Sequence, residues 1–283
     1  MKHLFISDMD GTLLGSDSLV SQESAEIITE LSKKGAMITV ATARTPATVE
    51  PLLSQTYTTI PAIVMTGAAM WDRVAHRYIH PVLHDPAALP GVMSCFHSHG
   101  VNPFVYIFSP DGELTVYHNG NMTGHEQKFY EERRHLTLKH FVLDDPRGLE
   151  CPIGDTILVF GMGDFDVIEA IADELAKDSR LSISAYRDIF NHKLGTIEVF
   201  RAGVSKAAAV KRLAEHVGAD RITVYGDNLN DLSMLAVADD SVAVANAAPE
   251  VLTAASRTIG PNTQSSVARD MKATVEKELE AHK

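Results

Sequence analysis

Short apolar, β-branched runs alternate with stretches of helical periodicity over most of the chain, and few architectures accept that alternation. A brief continuous apolar run suits a strand buried on both faces, as parallel strands covered by helices are. The runs at 3–7, 37–41, 62–65, 222–225 and 242–245 are of this kind. Between the first two, Ala25, Ile28 and Leu31 recur at helical spacing and Gly35 supplies a stop. The expected core is therefore a doubly wound, Rossmann-like α/β fold with a parallel sheet of five strands.

The middle of the chain breaks this pattern. Residues 104–108 and 113–117 are β-rich runs joined by Ser109-Pro110-Asp111-Gly112, in which Pro fixes φ and Gly accepts a positive one. A hairpin of that kind is antiparallel and foreign to a parallel sheet. Strands at 156–160 and 181–185, with helices at 86–99, 124–134 and 167–177, complete an α+β insertion. The expected division is a core from 1–83 and 189–283 and an inserted domain from 84–188, with a charged terminal helix over 272–283. A length of 283 residues fits two domains, because single cores cluster at roughly 100–150 residues.

Charge narrows the partners. With 25 Lys+Arg against 37 Asp+Glu the net charge is −12, which argues against nucleic acid or an acidic membrane, since both need a positive surface. No apolar run approaches the ~20 residues of a membrane span. The N-terminal segment reaches Asp8 after too short an apolar stretch for a signal peptide, so a cytoplasmic location is expected. The run Cys95-Phe96-His97-Ser98-His99 matches no closed metal site and suits the end of a surface helix. Gly161-Met162-Gly163 lacks the third glycine of a dinucleotide fingerprint, because position 166 is Asp.

Four segments carry chemistry. Asp8-Met9-Asp10-Gly11-Thr12 follows the first strand, and in extended chain Asp8 and Asp10 share a side, as a hard divalent cation requires or as an acidic capping loop would also show. Gly226-Asp227-Asn228-Leu229-Asn230-Asp231 follows another strand, and a helical turn there puts Asp227 and Asp231 on one face. An N-cap and a first-turn carboxylate would give the same pattern. In a doubly wound sheet, however, ligands bind outside the carboxyl ends of the strands, where both acidic pairs would converge. Thr42, closing the second strand, can offer a hydroxyl and a backbone N–H to a phosphate oxygen, or simply cap the next helix. Ser205 reads as an N-cap and Lys206 as a cation in the first helical turn, disfavoured by the dipole unless an anion such as phosphate lies nearby.

Taken together and in this order, Asp-Met-Asp-Gly-Thr, Thr42, Lys206 and Gly-Asp-Asn-Leu-Asn-Asp resemble the four motifs of the haloacid dehalogenase (HAD) superfamily, and the insertion resembles the α/β cap of its Cof-type subgroup, type IIB. The resemblance implies a phosphatase for small phosphorylated metabolites, such as sugar phosphates or phosphorylated cofactors, with the insertion setting substrate specificity. It implies Asp8 as the nucleophile that forms an aspartyl-phosphate and Asp10 as general acid and base. Thr42, Lys206 and Asn230 would hold phosphate, and Arg44 would contact substrate. Mg²⁺ would be held by Asp8, the Asp10 carbonyl and Asp227, with Asp231 in support. A phosphomutase uses the same nucleophile and acid, and a binding protein that has lost catalysis is a third reading. The sequence departs from the subgroup at Ala43, where Gly is usual, at Thr66-Gly67-Ala68 for Asn-Gly-Ala, and at Ser265-Ser266-Val267 for an acidic-Gly-Val segment.

Overall fold

The computed structural model describes residues 2–150, 155–188 and 191–281. The chain divides into two compact units, one from residues 1–80 and 205–283, the other from 81–204. The second unit extends beyond the expected end at 188 because strand Leu194–Arg201 pairs on one side with Thr156–Asp164 and on the other with Leu181–Arg187. Gly195 and Thr196 dilute the apolar pattern of that strand, which hides it in the sequence.

The first unit is built on a five-stranded sheet in the order Arg257–Ile259, Asp240–Val244, Arg221–Gly226, His3–Ser7, Met37–Val40, with every pair parallel. Strand His3–Ser7 is buried along its whole length, as its apolar centre Leu4-Phe5-Ile6 favours. From it the chain steps outward to Met37–Val40, and later returns to the other side at Arg221–Gly226. The topological switch point therefore lies between His3–Ser7 and Arg221–Gly226, which run in register from His3 opposite Arg221 to Ser7 opposite Tyr225.

One expected member of this sheet belongs elsewhere. Ala62–Val64 pairs antiparallel with Ala69–Asp72, which pairs with Arg77–Ile79, and meets the parallel sheet through an isolated parallel bridge between Ala41 and Ile63. The fifth parallel strand is instead Arg257–Ile259. Helix Gln22–Lys33 is capped by Ser21, whose side chain accepts from the Ser24 N–H. The terminal helix begins at Ser266, and the last two positions of the expected 272–283 segment lie outside the described residues.

The second unit holds a six-stranded sheet containing the expected hairpin, Phe104–Phe108 with Leu114–His118. Its pairs are antiparallel except for Leu114–His118 with His140–Leu143. Side chains alternate between faces. Val105, Val159, Ile197 and Val199 pack into a core with helices Leu89–Ser98 and Phe165–Leu175. On the other face Phe104 and Phe160 meet Phe129 of helix Gly124–Glu131.

Lys139 is buried beside that aromatic group, its Nζ 5.2 Å from the Phe141 ring centre. Burial, with Arg133 nearby, pushes its ammonium down to about 7. Between pH 7 and about 10.5 the unfolded chain binds a proton that the folded chain does not, so folding stability rises with pH across that window. Lys139→Met is therefore expected to stabilise the protein by about 2 kcal/mol at pH 7, and to lose that advantage by pH ~10.5. Urea unfolding of parent and variant at the two pH values measures it.

Candidate active site

Because the two strands at the switch point are parallel and in register, their following residues emerge side by side. Asp8 leaves the end of His3–Ser7 with its backbone N–H donating to the Tyr225 carbonyl at 2.9 Å. Asp227 leaves the end of Arg221–Gly226. The chain after Asp8 turns sharply through Gly11, at φ +80°, where a Cβ would collide with the Asp227 carboxylate. Gly226 is held by a second close approach, since a Cβ there would lie 2.7 Å from the Asp231 Cβ.

Lys206 joins the two strand ends. It begins helix Lys206–Val217, whose N-cap Ser205 accepts from the Ala208 N–H, and only 1% of its surface is exposed. Its Nζ donates to Asp8 Oδ1 at 2.5 Å and to Asp231 Oδ1 at 2.7 Å. The unfavourable placement of this cation in a first helical turn is thus offset by two carboxylates of the protein itself. Burial works against the Lys206 charge, but Asp8 and Asp231 outweigh it and hold the ammonium above its ordinary range.

Asp231 is fully buried and both its oxygens are engaged. Oδ2 accepts from the backbone N–H groups of Asp227 and Asn228, at 3.0 and 3.1 Å, while Oδ1 accepts from Lys206. It closes a capping box on the turn Leu229–Asp231, with Asn228 rather than Asp227 as N-cap. Asp231 therefore shapes the loop that presents Asp227. Asn230 lies in the same turn, and its Oδ1 is buried without a hydrogen-bond partner among the described residues.

Carboxylate oxygens of Asp8, Asp227 and Asp231 lie within 4.8 Å of one another. Burial pushes Asp8 up to about 7, against the pull of Lys206, and Asp227 up to about 6, against the hydrogen bond from Thr12. Fully ionised, the three carboxylates would exceed the one ammonium by two negative charges, which a divalent cation would balance. The donors are all oxygen, the chemistry that suits a hard ion.

Arg44 makes a two-pronged pair with Asp10, Nε to Oδ2 at 2.7 Å and Nη2 to Oδ1 at 2.6 Å, with the Asp10 side chain half exposed. Thr42 is buried, and its backbone N–H donates to the Ile63 carbonyl at 3.0 Å. That corrects one expectation: only the Thr42 hydroxyl, which accepts from the Arg44 N–H at 3.2 Å, remains to donate to a ligand.

Two residues here escaped the sequence reading. Thr12 donates its hydroxyl to Asp227 Oδ1 at 2.6 Å, and Asn246 donates its Nδ2–H to the Gly11 carbonyl at 2.8 Å. Asn246 follows strand Asp240–Val244, so the rule that strand ends converge was the signal that could have found it.

The departure at Thr66-Gly67-Ala68 also has a structural expression, which begins one residue earlier. Met65 and Thr66 are both left-handed, at φ 49° and 55°, and their N–H groups donate to the Arg44 and Thr42 carbonyls. A β-branched residue is strained there. Thr66→Asn is expected to raise stability by about 1 kcal/mol, read as an increase of about 2–4 °C in Tm, because Asn tolerates this conformation.

Comparison with known proteins agrees with the geometry. A family model described as haloacid dehalogenase-like hydrolase matches residues 5–271. The chain is 26% identical over 270 residues to a 5-amino-6-(5-phospho-D-ribitylamino)uracil phosphatase of Bacillus subtilis (strain 168), covering 94% of this chain and 93% of that protein. It is 25% identical over 256 residues to an HMP-PP phosphatase of Serratia proteamaculans (strain 568), covering 89% and 86%. Among solved structures, a sugar phosphatase of HAD subclass IIB superposes with a TM-score of 0.71 at 19% identity, covering 97% of this chain and 99% of that one.

Proposed function

The chain belongs to the haloacid dehalogenase-like hydrolases, and from that premise we propose that it is a Mg²⁺-dependent phosphatase that hydrolyses small phosphomonoesters through an aspartyl-phosphate on Asp8. The observation that carries the reading is the junction of Asp8, Asp227 and Asp231 around one buried lysine at the switch point. The similar proteins named above include a 5-amino-6-(5-phospho-D-ribitylamino)uracil phosphatase and an HMP-PP phosphatase, and small phosphorylated metabolites are the expected substrate class.

In this reading Lys206 fixes Asp8 Oδ1, which leaves Oδ2 to attack phosphorus. As the Asp8–phosphorus bond forms, the ester P–O bond breaks and Asp10 gives its proton to the departing oxygen, so no bare alkoxide is expelled. Asp10 then takes a proton from water, whose oxygen attacks phosphorus and breaks the bond to Asp8, releasing inorganic phosphate. Lys206 and the Thr42 hydroxyl hold phosphoryl oxygens. Arg44 occupies both Asp10 oxygens, so that pair must open before Asp10 can act; the phosphoryl charge of a substrate competes for the guanidinium. Asp8, Asp227 and the Asp10 backbone carbonyl would hold Mg²⁺, with Asp231 positioning Asp227. When bound, the ion would neutralise phosphoryl charge.

The test is phosphate release across a panel of sugar phosphates and phosphorylated cofactors. Removing divalent cations with EDTA is expected to lower the rate by at least about 100-fold, and excess Mg²⁺ to restore it. Full activity in EDTA would overturn the metal assignment. Release of inorganic phosphate without any bisphosphate activator separates hydrolysis from a mutase.

A further inference from the structure

The second unit carries another cluster of ligating side chains, remote in sequence from the residues above. Cys95 lies on helix Leu89–Ser98, His99 caps that helix, and Glu174 lies on helix Phe165–Leu175 packed beside it. One ligand atom from each, Sγ, an imidazole nitrogen and a carboxylate oxygen, lie within 4.8 Å of one another. We propose that Cys95, His99 and Glu174 form a site for a borderline-soft divalent ion of the Zn²⁺ class, which fastens the two helices together.

The imidazole is already oriented for this role. His99 Nδ1 donates to the Cys95 carbonyl at 2.9 Å, which leaves Nε2 as the nitrogen with a free lone pair. That Nε2 lies 3.9 Å from Glu174 Oε2. Tetrahedral zinc with ordinary bond lengths sets its ligand atoms about 3.4–3.6 Å apart, so a contraction of up to about 1 Å from the present spread of at most 4.8 Å completes the geometry. The Glu174 side chain is half exposed and free to make it.

Three protein ligands of S, N and O type with room for water make an open site rather than a closed structural one. Entry is available, because a surface groove of about 460 Å³ is lined by Cys95, Glu174, Lys177 and Arg180. Burial, with Glu174 alongside, pushes the Cys95 thiol up to about 11, the reverse of what a nucleophilic cysteine needs. An ion that bonds sulfur strongly displaces that proton to solvent, whereas Mg²⁺, which prefers oxygen, does not. The sequence hid the site because Cys95, His97 and His99 match no closed-site spacing, and Glu174 arrives only through helix packing.

The experiment uses the full chain, stripped of metal and held in excess Mg²⁺, titrated with Co²⁺ and then with Zn²⁺. One equivalent of Co²⁺ is expected to develop a thiolate-to-cobalt absorption band that Zn²⁺ abolishes. The band should vanish in Cys95→Ser and persist in Cys151→Ser and Asp8→Asn. Glu174→Gln and His99→Gln, which alter partly exposed side chains, should weaken Zn²⁺ binding by at least about tenfold and remove the Zn²⁺-induced rise in Tm. These two variants carry the test should Cys95→Ser fail to fold. Absence of the band in the parent, its survival in Cys95→Ser, or unchanged Zn²⁺ affinity in Glu174→Gln overturns the proposal.

Discussion

Asp8→Asn is expected to lower phosphate release by about 10⁴-fold or more, because the amide keeps the shape of the carboxylate and lacks its nucleophilic oxygen. Asp8 is 7% exposed, and its side chain sits between Lys206 and the carboxylates of Asp227 and Asp231. Asp231 cannot take over, since both its oxygens are committed within the protein. The variant should fold, because Lys206 retains Asp231 and one buried negative charge has been removed. Steady-state phosphate release measures the loss, and mass spectrometry of acid-quenched parent enzyme should find a phosphoryl adduct on the peptide containing Asp8. A variant within tenfold of the parent overturns the assignment.

Lys206→Met has the second-largest expected effect, on stability as well as rate. The substitution keeps most of the apolar stem and removes the only ammonium that bridges Asp8 and Asp231 among the described residues. Breaking a buried ion pair by deleting one partner costs about 3–5 kcal/mol, since the remaining charges are left uncompensated. The loss should appear as a lower Tm that Mg²⁺ raises more in the variant than in the parent, because the ion then balances all three carboxylates. Activity is expected to fall by about 10³-fold even at saturating Mg²⁺, for want of a fixed cation beside the phosphoryl group. Lys206→Arg should not rescue it, since a planar guanidinium does not fit a point-charge site of this size.

Much of this site was readable from the chain because the strands that present it are buried on both faces. A short strand with an apolar centre, such as His3–Ser7 around Leu4-Phe5-Ile6, announces a central parallel strand, and an acidic residue directly after it must then lie at the carboxyl edge. Strand direction was not readable for Ala62–Val64, since an apolar run looks the same beside a parallel or an antiparallel neighbour. Arg257–Ile259 is too short for any periodicity to show. The commitment of the Thr42 N–H to Ile63 depends on backbone pairing between separate segments, and that of Asp231 Oδ1 on a lysine brought in by another helix. Thr12 and Asn246 bond to atoms that only the closed sheet brings near.

The divided origin of the first unit has a consequence for biosynthesis. Residues 81–204 form a compact unit from one continuous stretch and can fold as soon as they leave the ribosome. Strand His3–Ser7 emerges before that stretch, yet one of its two neighbours, Arg221–Gly226, is translated only after it. Throughout this interval an apolar strand edge beside Asp8 stays unpaired, which is a period of exposure to aggregation and a reason for chaperone engagement. Nascent chains arrested before Lys206 carry Asp8 without its counter-charge, so the charged cluster can assemble only once the segment from Lys206 to Asp231 has been made.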